Sequence, residues 1–366
     1  MHPAELTRLL DKIDVETYLD REGVDYKHSF GGSGEQLNLT DCPACGGGER
    51  KTYINARTGL GNCFHGACNV KFNKFKLIRA VSGLSGAELD EHLTSVASEQ
   101  GWMPKKERAT LVLADLQLPS NVDQLPNAGR NLKYLEDRGV TTESCQWFNL
   151  GYCHKGYWGY KLSTGEERWV FYGKRVIIPI ADLAGKLVSF QGRDVTGEQE
   201  PKYLFPVGYA VSGRHLFNAN TFEDGVHTHA VVGEGAFDAI AIHQAMAGQP
   251  TMRALIALAT FGMHLSGGDD SQLDKFIQLR ERGLKHVTIM WDGEGKALAY
   301  AMTAGMRLKS IGLQVSIAQL PEGYDPAQGP DKRPTPPDLV QRAIFEAKIL
   351  TPLSAIRLAH AASVMS

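Results

Sequence analysis

The 366-residue sequence contains no run of about 18 apolar residues, the minimum for a helix that crosses a membrane. Its N-terminus, MHPAELTRLLDKIDVETYLDREG, has mixed charge and lacks the apolar centre of a secretion signal. A Walker A motif is also absent, which argues against an ATP-driven helicase in this chain. We therefore expect a cytoplasmic protein with no membrane partner.

An excess of charge of either sign is missing as well. The formal net charge is only −2, so the whole-chain charge does not indicate nucleic-acid binding, and any such binding must depend on local basic patches. Hydrophobic residues make up 43% of the chain, which is typical of folded proteins. The length corresponds to two or three domains.

Composition and periodicity divide the chain into five predicted segments. Residues 1–100 hold a cysteine cluster with flanking helices, and 101–127 read as a polar linker. Residues 128–225 form a mixed α+β segment rich in short strands. Strands and helices alternate over 226–330, which predicts an α/β domain with a mostly parallel sheet. Residues 331–366 have the pattern of a helical tail.

Four of the six cysteines fall within 27 positions in two pairs, Cys42/Cys45 and Cys63/Cys68. Paired cysteines in a chain without a secretion signal favour metal ligation over disulfides, and four thiolates suit tetrahedral Zn²⁺. We predict an α+β zinc ribbon. The second pair is separated by four residues instead of the usual two, so His65 remains an alternative ligand to Cys63, although we favour four cysteines. The other two cysteines, Cys145 and Cys153, are expected to lie in a core.

Acidic residues recur where predicted strands end. Glu234 follows THAVVG and precedes a helix, Asp292 and Glu294 follow HVTIMW, and Asp325 follows QVSIAQLP. Ligands of open α/β sheets bind beyond the carboxyl ends of the strands, so we expect these acids to converge there. Clustered carboxylates favour a hard cation, Mg²⁺ or Mn²⁺. Asp238 is a further candidate ligand, with helix capping as an alternative of equal weight.

The strand-rich segment before the acidic residues carries a local basic patch. Its cations alternate with the aromatic residues Tyr172, Phe190 and Tyr203, a combination that suits single-stranded nucleic acid through phosphate contacts and base stacking. The alternative is an ordinary charged face of a sheet. The cations are Lys174, Arg175, Lys186, Arg193 and Lys202.

Several motifs in order resemble the DnaG-type primases of bacteria and bacteriophages. EGAFDAIA, a strand ending in DGE, and PEGYDP are similar to the TOPRIM domain of that family. Upstream, GKRVIIPIADLAGKLVSFQGRDV followed by EPKYLFP is similar to its basic subdomain, and YLEDRGVTTESCQWFNLGY to the helices that lead into its polymerase domain. The resemblance covers roughly residues 38–330, with the zinc module first, as in that family.

The resemblance implies a DNA primase, an RNA polymerase that makes short primers on single-stranded DNA from ribonucleoside triphosphates, with a replicative helicase as partner. A cytoplasmic location then means the bacterial host's cytoplasm if a phage encodes the chain. Glu234 would bind catalytic metal or act as a base, and Asp292 and Glu294 would hold divalent ions, with Asp325 as an outer ligand. The residues implied to bind nucleotide or template are Lys174, Arg175, Arg193 and Lys202.

The sequence departs from the family pattern at two acidic positions. Glu294 replaces the second aspartate of an Asp-x-Asp motif, and Ala327 stands where the last motif often has another acid. These departures weaken the expected metal contacts there. Two other hypotheses therefore stay open: a different TOPRIM enzyme of the nuclease or topoisomerase type, and a non-catalytic zinc protein that binds DNA.

Overall fold

The computed structural model describes residues 2–31, 34–65, 68–101, 110–291 and 295–351. They form two compact units, Met1–Ala114 with Tyr160–Arg168, and Asp115–Gly159 with Trp169–Ser366. Among the described helices, none is both long and apolar enough to span a membrane. The five-segment division predicted from composition stays a prediction.

The first unit contains helices and a small antiparallel sheet. Its elements are α1 Pro3–Lys12, α2 Val15–Arg21, β1 Tyr26–Gly31, β2 Gly34–Leu39, β3 Thr52–Asn55, β4 Gly61–Cys63, β5 Lys71–Phe72, α3 Lys74–Ser82, α4 Gly86–Gln100 and β6 Leu111–Val112. Strands β1 to β5 pair in chain order, each antiparallel to the next. The hairpin β3–β4 lies between the two cysteine pairs. The predicted linker, whose residues 102–109 are outside the described residues, contains β6 and a second short strand, Val122–Gln124.

Side-chain caps set the helix ends of this unit. Asp14 accepts a hydrogen bond from the backbone N–H of Thr17 at the start of α2, and Asn73 does the same for Lys76 at the start of α3. Gly83 ends α3 at φ 69°, a left-handed conformation that glycine adopts at little cost. The core beneath the sheet contains Cys42 and Cys63, so half of the cysteine cluster is anchored in packed apolar side chains.

The second unit begins with an antiparallel sheet. Its elements are β7 Val122–Gln124, α5 Lys133–Glu136, α6 Thr142–Trp147, β8 Gly151–Cys153, β9 Tyr157–Leu162, β10 Glu167–Phe171, β11 Arg175–Ala181, β12 Leu187–Asp194 and β13 Tyr203–Leu204. One sheet has the order β13-β12-β11-β8-β7, and the hairpin β9–β10 extends a second, ordered β10-β9-β6. The tip of this hairpin, Tyr160–Arg168, belongs to the first unit.

The remaining elements form the predicted α/β arrangement. They are β14 His229–Gly233, α7 Ala236–Met246, β15 Leu255–Ala259, α8 Gln272–Glu281, β16 His286–Ile289, α9 Gly295–Ser310, β17 Gln314–Ile317, α10 Pro337–Phe345 and β18 Lys348–Ile349. The sheet order is β15-β14-β16-β17-β18, parallel except for β18, so the mostly parallel sheet is confirmed. The prediction of a purely helical tail over 331–366 is wrong in part: α10 is present, but Lys348–Ile349 form the edge strand β18 by pairing with β17, and 352–366 lie outside the described residues.

Both faces of this parallel sheet are covered, as its continuous apolar strands require. Along β14, Ala230 and Val232 pack on one side in a core that includes Phe276 of α8 and Leu298 of α9. Val231 packs on the other side, in a core formed with α7 and α10. This burial leaves the edge of the sheet at the carboxyl ends of the strands as the place where polar side chains collect.

Candidate active site and metal centre

The two cysteine pairs come together in the first unit. The Sγ atoms of Cys42, Cys45, Cys63 and Cys68 all lie within 4.8 Å of one another, and those of Cys45 and Cys63 are 4.0 Å apart. Four thiolates around a tetrahedral Zn²⁺ lie roughly 3.8 Å apart, given Zn–S bonds of about 2.3 Å. The cluster therefore fits zinc with a small contraction.

Tight turns create this convergence. In the first pair, the N–H of Gly46 donates to the carbonyl of Cys42, and Gly46 has a φ of 67°. In the second, the backbone N–H of His65 points at Cys63 Sγ, 3.4 Å away. The ring of His65 packs against Gly47, where a Cβ atom would overlap it. The four-ligand group contains Cys63 and not His65, which agrees with the favoured all-cysteine alternative.

The cysteines outside the cluster are core residues, as predicted. Cys145 and Cys153 are fully buried. Their Sγ atoms lie 3.2 Å from Asn131 Oδ1 and 3.4 Å from the carbonyl of Ser120. Burial raises the pKa of the Cys145 thiol to about 11, so it stays protonated and unreactive at neutral pH.

Glu234 lies at the predicted position, directly after β14 and before α7, and is half-buried. Its carbonyl accepts a hydrogen bond from Gly262, which joins it to the segment after β15. Asp238 is one turn along α7, and its carboxylate accepts from the N–H of Gly235 at 2.8 Å. Asp238 thus caps the helix, the alternative weighed from the sequence, and its role as a metal ligand stays a prediction.

Asp325 lies in the loop between β17 and α10. Its Oδ1 accepts from the backbone N–H groups of Ala327 and Gln328, so one carboxylate oxygen holds the turn. Thr335 donates to its carbonyl, which ties the two sides of the loop together. The other two predicted ligands, Asp292 and Glu294, lie outside the described residues. They remain predictions.

A cationic cluster of Arg138, Arg193 and Lys202 is organised by aromatic rings. The guanidinium of Arg193 lies 4.5 Å from the ring centre of Tyr203 and 5.8 Å from that of Tyr134. The guanidinium of Arg138 lies 5.4 Å from the ring centre of Tyr134, and Lys202 Nζ lies 5.9 Å from that of Tyr203. Each ring therefore contacts two cations, and this fixes them without neutralising their charge.

The charge of Asp325, in the loop after β17, also acts on this cationic cluster. The pKa of Lys202 is lowered, first by burial and then by the charges of Arg193 and Arg138, while Asp325 acts in the opposite direction. Arg138 also donates to Gln328 in the Asp325 loop at 2.9 Å. An anion bound here would relieve the repulsion among the three cations, so the site suits a phosphate group.

The side chain of Arg193 has an unused hydrogen-bond donor. The residue is only 6% exposed, and its Nη1 has no hydrogen-bond partner among the described residues. Its Nε donates to the carbonyl of Asp194. A buried guanidinium N–H without an acceptor is costly, and an incoming phosphate oxygen is its natural partner.

The other two predicted basic residues have different surroundings. Arg175 is 2% exposed, and its Nη1 donates to the carbonyls of Gly192 and Lys202, at 3.1 and 3.3 Å. Sequence reasoning predicts that it touches nucleotide or template, whereas the structure has it holding the backbone that carries Lys202, because its side chain points into the sheet. Lys174 is exposed at the start of β11.

Sequence reasoning did not assign Arg138 a role. It lies in YLEDRGV, part of a segment similar to the primase family. Its local sequence, however, looks the same as that of any solvent-exposed charged residue at the end of a helix. Its hydrogen bond to Gln328, 190 positions away in the sequence, is visible only in the folded structure.

A histidine pair at the opposite end of the parallel sheet predicts a pH-dependent stability. His229 and His286 begin β14 and β16, and their rings stack with centres 4.0 Å apart. Burial, followed by the charge of His286, lowers the pKa of His229 from 6.5 to about 4, and burial lowers the pKa of His286 too. Between pH 6.5 and 4 the unfolded chain therefore binds more protons than the folded one.

The free energy of unfolding is accordingly expected to fall as the pH drops through this window, by about 1 kcal/mol per pH unit from His229, and the lowered pKa of His286 acts in the same direction. Urea unfolding at pH 7 and pH 5 measures the change. A His229→Gln variant should show a shallower pH dependence than the wild type. Equal slopes for the two proteins would contradict the assignment to this pair.

Comparisons with known proteins agree with these features. Residues 160–206, which contain Arg175, Arg193 and Lys202, match a family model described as the N-terminal domain of the DNA primase catalytic core. Over 347 residues the chain is 24% identical to the DNA primase of Aquifex aeolicus, an alignment that covers 88% of this chain and 64% of that protein. The chain is therefore similar in sequence to bacterial DNA primases.

Other DNA primases align with this chain over shorter stretches. The Rickettsia felis DNA primase is 25% identical over 70% of this chain and 46% of its own length. The Staphylococcus aureus DNA primase is 28% identical over 53% of this chain and 34% of its own length. The chain thus spans between a third and two thirds of these relatives. A crystal structure of the Aquifex aeolicus primase, with its zinc-binding and RNA polymerase domains, aligns with a TM-score of 0.46 at 19% identity, over 94% of this chain and 86% of that one.

Proposed function

We propose that this chain is a DNA primase, a DNA-dependent RNA polymerase that makes short RNA primers on single-stranded DNA, and that its parallel-sheet segment is a TOPRIM domain. The observation that carries the proposal is the environment of Lys202, where the repulsion of Arg193 and Arg138 is opposed by Asp325. A polyphosphate substrate needs cations for its phosphates and carboxylates for the metal ions that accompany it. Cations, Arg193 and Arg138, and a carboxylate, Asp325, both act on Lys202.

The reaction is a nucleotidyl transfer. The 3′-hydroxyl of one nucleotide attacks the α-phosphorus of the next triphosphate, a phosphodiester bond forms, and pyrophosphate leaves. In the proposed roles, Arg138, Arg193 and Lys202 bind the triphosphate oxygens, and Arg175 positions Lys202. Lys174 contacts nucleotide or template. The three cations, fixed beforehand by Tyr134 and Tyr203, would stabilise the charge that builds up on the leaving pyrophosphate.

The acidic residues take the complementary roles. Glu234 either holds a catalytic metal ion or accepts the proton of the attacking hydroxyl, and Asp292 and Glu294 hold divalent ions. Asp325 acts as an outer ligand, with Asp238 as a further candidate. Bound Mg²⁺ or Mn²⁺ supplies the positive charge that lowers the pKa of the hydroxyl and neutralises the phosphates.

The cysteine cluster takes a structural role in this proposal. Cys42, Cys45, Cys63 and Cys68 hold Zn²⁺, and the module around them recognises the template. The partners are single-stranded DNA, ribonucleoside triphosphates and a replicative helicase, separate or fused in a longer protein.

The test is incubation with single-stranded DNA, the four ribonucleotides and Mg²⁺ or Mn²⁺. Short RNA products that require both template and divalent ion are expected. Nicked or relaxed DNA without RNA would instead indicate a different TOPRIM enzyme. Binding to DNA with neither product would indicate a non-catalytic zinc protein, and either result overturns the primase proposal.

A further inference from the structure

An aromatic patch on the hairpin β9–β10 has no role in the site above. We define it by three side chains of the second unit, Tyr157, Trp169 and Phe171, which are 45%, 65% and 42% exposed. The rings of Tyr157 and Phe171 are 5.3 Å apart between centres. Large aromatic side chains so strongly exposed on one short hairpin are unusual for a surface that stays in contact with water.

Two glycines make the patch flat. The ring of Trp169 lies over Gly159, where a Cβ atom would come within 2.8 Å of it. The ring of Phe171 lies against Gly173 in the same way. Because neither glycine has a side chain, the backbone supports one face of each ring and leaves the other towards solvent. Such rings offer a π-surface to a ligand and do not fill a core.

The opposite face of the hairpin anchors it. Trp158 is 6% exposed, its Nε1 donates to the carbonyl of Gln117 at 3.1 Å, and its ring packs edge-on against Phe190 and Tyr209. The alternation along β9, with Trp158 in the core and Tyr157 outside, is what a strand with one buried face requires. The patch is therefore carried on a fixed support, at low entropic cost for binding.

Charge identifies the kind of partner. Lys155 and Lys174 are exposed beside the patch, and the N–H of Lys174 donates to the carbonyl of His154 at 3.2 Å, so both lysines lie at the same end of the hairpin. Neither forms an ion pair with a residue that the structure describes. Flat aromatic faces next to unpaired cations suit bases and phosphates of a single strand, whereas duplex DNA keeps its base faces stacked.

We propose that Tyr157, Trp169 and Phe171 form a stacking surface for unpaired bases of single-stranded DNA, with Lys155 and Lys174 on its phosphates. The proposal extends the proposed function, since Lys174 is also a proposed template contact there, and the patch would continue the path of the template beyond the active site. Double-stranded DNA would gain only the contacts with the two lysines.

The test compares Trp169→Ala with wild type in the full chain, by fluorescence anisotropy of a labelled oligothymidylate of roughly 15 nucleotides. The variant is expected to bind about tenfold more weakly, the loss of one stacked base. An abasic oligonucleotide of equal length should bind both proteins alike, because only the base contact is removed. Trp169→Phe should retain most of the affinity.

A matched control is Trp147→Ala, which removes another half-exposed tryptophan, 49% exposed on α6 and stacked on His243. Its affinity for the oligonucleotide should stay within about twofold of wild type. Two results would overturn the proposal: unchanged binding by Trp169→Ala, or a change in its oligomeric state by light scattering, which would make the patch a contact between copies of the chain. An equal loss of affinity for abasic DNA would overturn base stacking as its mode of binding.

The outcomes separate this proposal from the primase function. If Trp169→Ala loses affinity but wild type makes no RNA, only the primase activity is overturned. If RNA is made and Trp169→Ala binds DNA normally, only the stacking surface is overturned.

Discussion

A Glu234→Gln variant is expected to lose primer synthesis by at least about a hundredfold. The substitution preserves the size of the side chain but removes the charge that would hold a metal ion or accept the proton of the attacking hydroxyl, and either role contributes on the order of 10²–10⁴ in rate. The rate of RNA formation on a single-stranded template, at saturating ribonucleotides and Mg²⁺, measures the loss.

Glu322→Gln is the matched control, because Glu322 is exposed in the loop that leads to Asp325 and has no proposed role in binding metal, nucleotide or template. It should keep nearly full activity. The affinity of Glu234→Gln for single-stranded DNA should equal that of wild type, since the proposed template contacts, Lys174 and the aromatic patch, are unchanged. Primer synthesis by Glu234→Gln at more than a tenth of the wild-type rate would remove Glu234 from the reaction.

A Cys63→Ala variant is expected to lose bound zinc and the cooperative unfolding of the first unit. Three thiolates remain, but Cys63 is both a proposed ligand and a core residue next to Cys42. Zinc contributes about 10–16 kcal/mol of apparent binding free energy in small zinc-dependent folds, so its loss outweighs the stability of a module this size. Elemental analysis of the purified protein measures the zinc, and thermal unfolding of the full chain followed by circular dichroism, for wild type with and without a chelator and for the variant, measures the loss of cooperative unfolding.

The controls separate ligands from core cysteines. His65→Ala should retain zinc, because the four Sγ atoms already form the site. Cys145→Ala should retain zinc as well, with a modest loss of stability from the small cavity it leaves. Loss of zinc in His65→Ala together with its retention in Cys63→Ala would reverse the assignment of the fourth ligand.

Predictions from local patterns were accurate wherever one short segment determines its own environment. The strand before Glu234 and the helix after it follow from an apolar run and the Gly-Ala start of α7, and both are present. The burial of Cys145 and Cys153 was predicted because neither lies close in the sequence to the cysteines of the metal cluster.

Predictions about long side chains were less accurate, because their surroundings are assembled from distant segments. Arg175 and Arg193 look alike in the sequence, each in a β-strand of the same segment. The structure directs Arg175 into the sheet, onto the carbonyls of Gly192 and Lys202, while the guanidinium of Arg193 lies over the rings of Tyr203 and Tyr134. The alternation of residues along a strand predicts the face of the sheet on which a side chain lies. Whether the side chain then contacts backbone carbonyls or a ligand depends on which strands are its neighbours.

By itself, the sequence determined the cysteine pairing pattern, the alternation of strands and helices after residue 226, and the acidic residues at strand ends. These depend on spacing along the chain, which periodicity and turn chemistry control directly. Only the tertiary structure decided that Arg138 joins Arg193 and Lys202 near Asp325, and that Tyr157, Trp169 and Phe171 share one open face. The reason is physical: a side chain's partners are set by packing between residues up to 190 positions apart, and no local pattern encodes that distance.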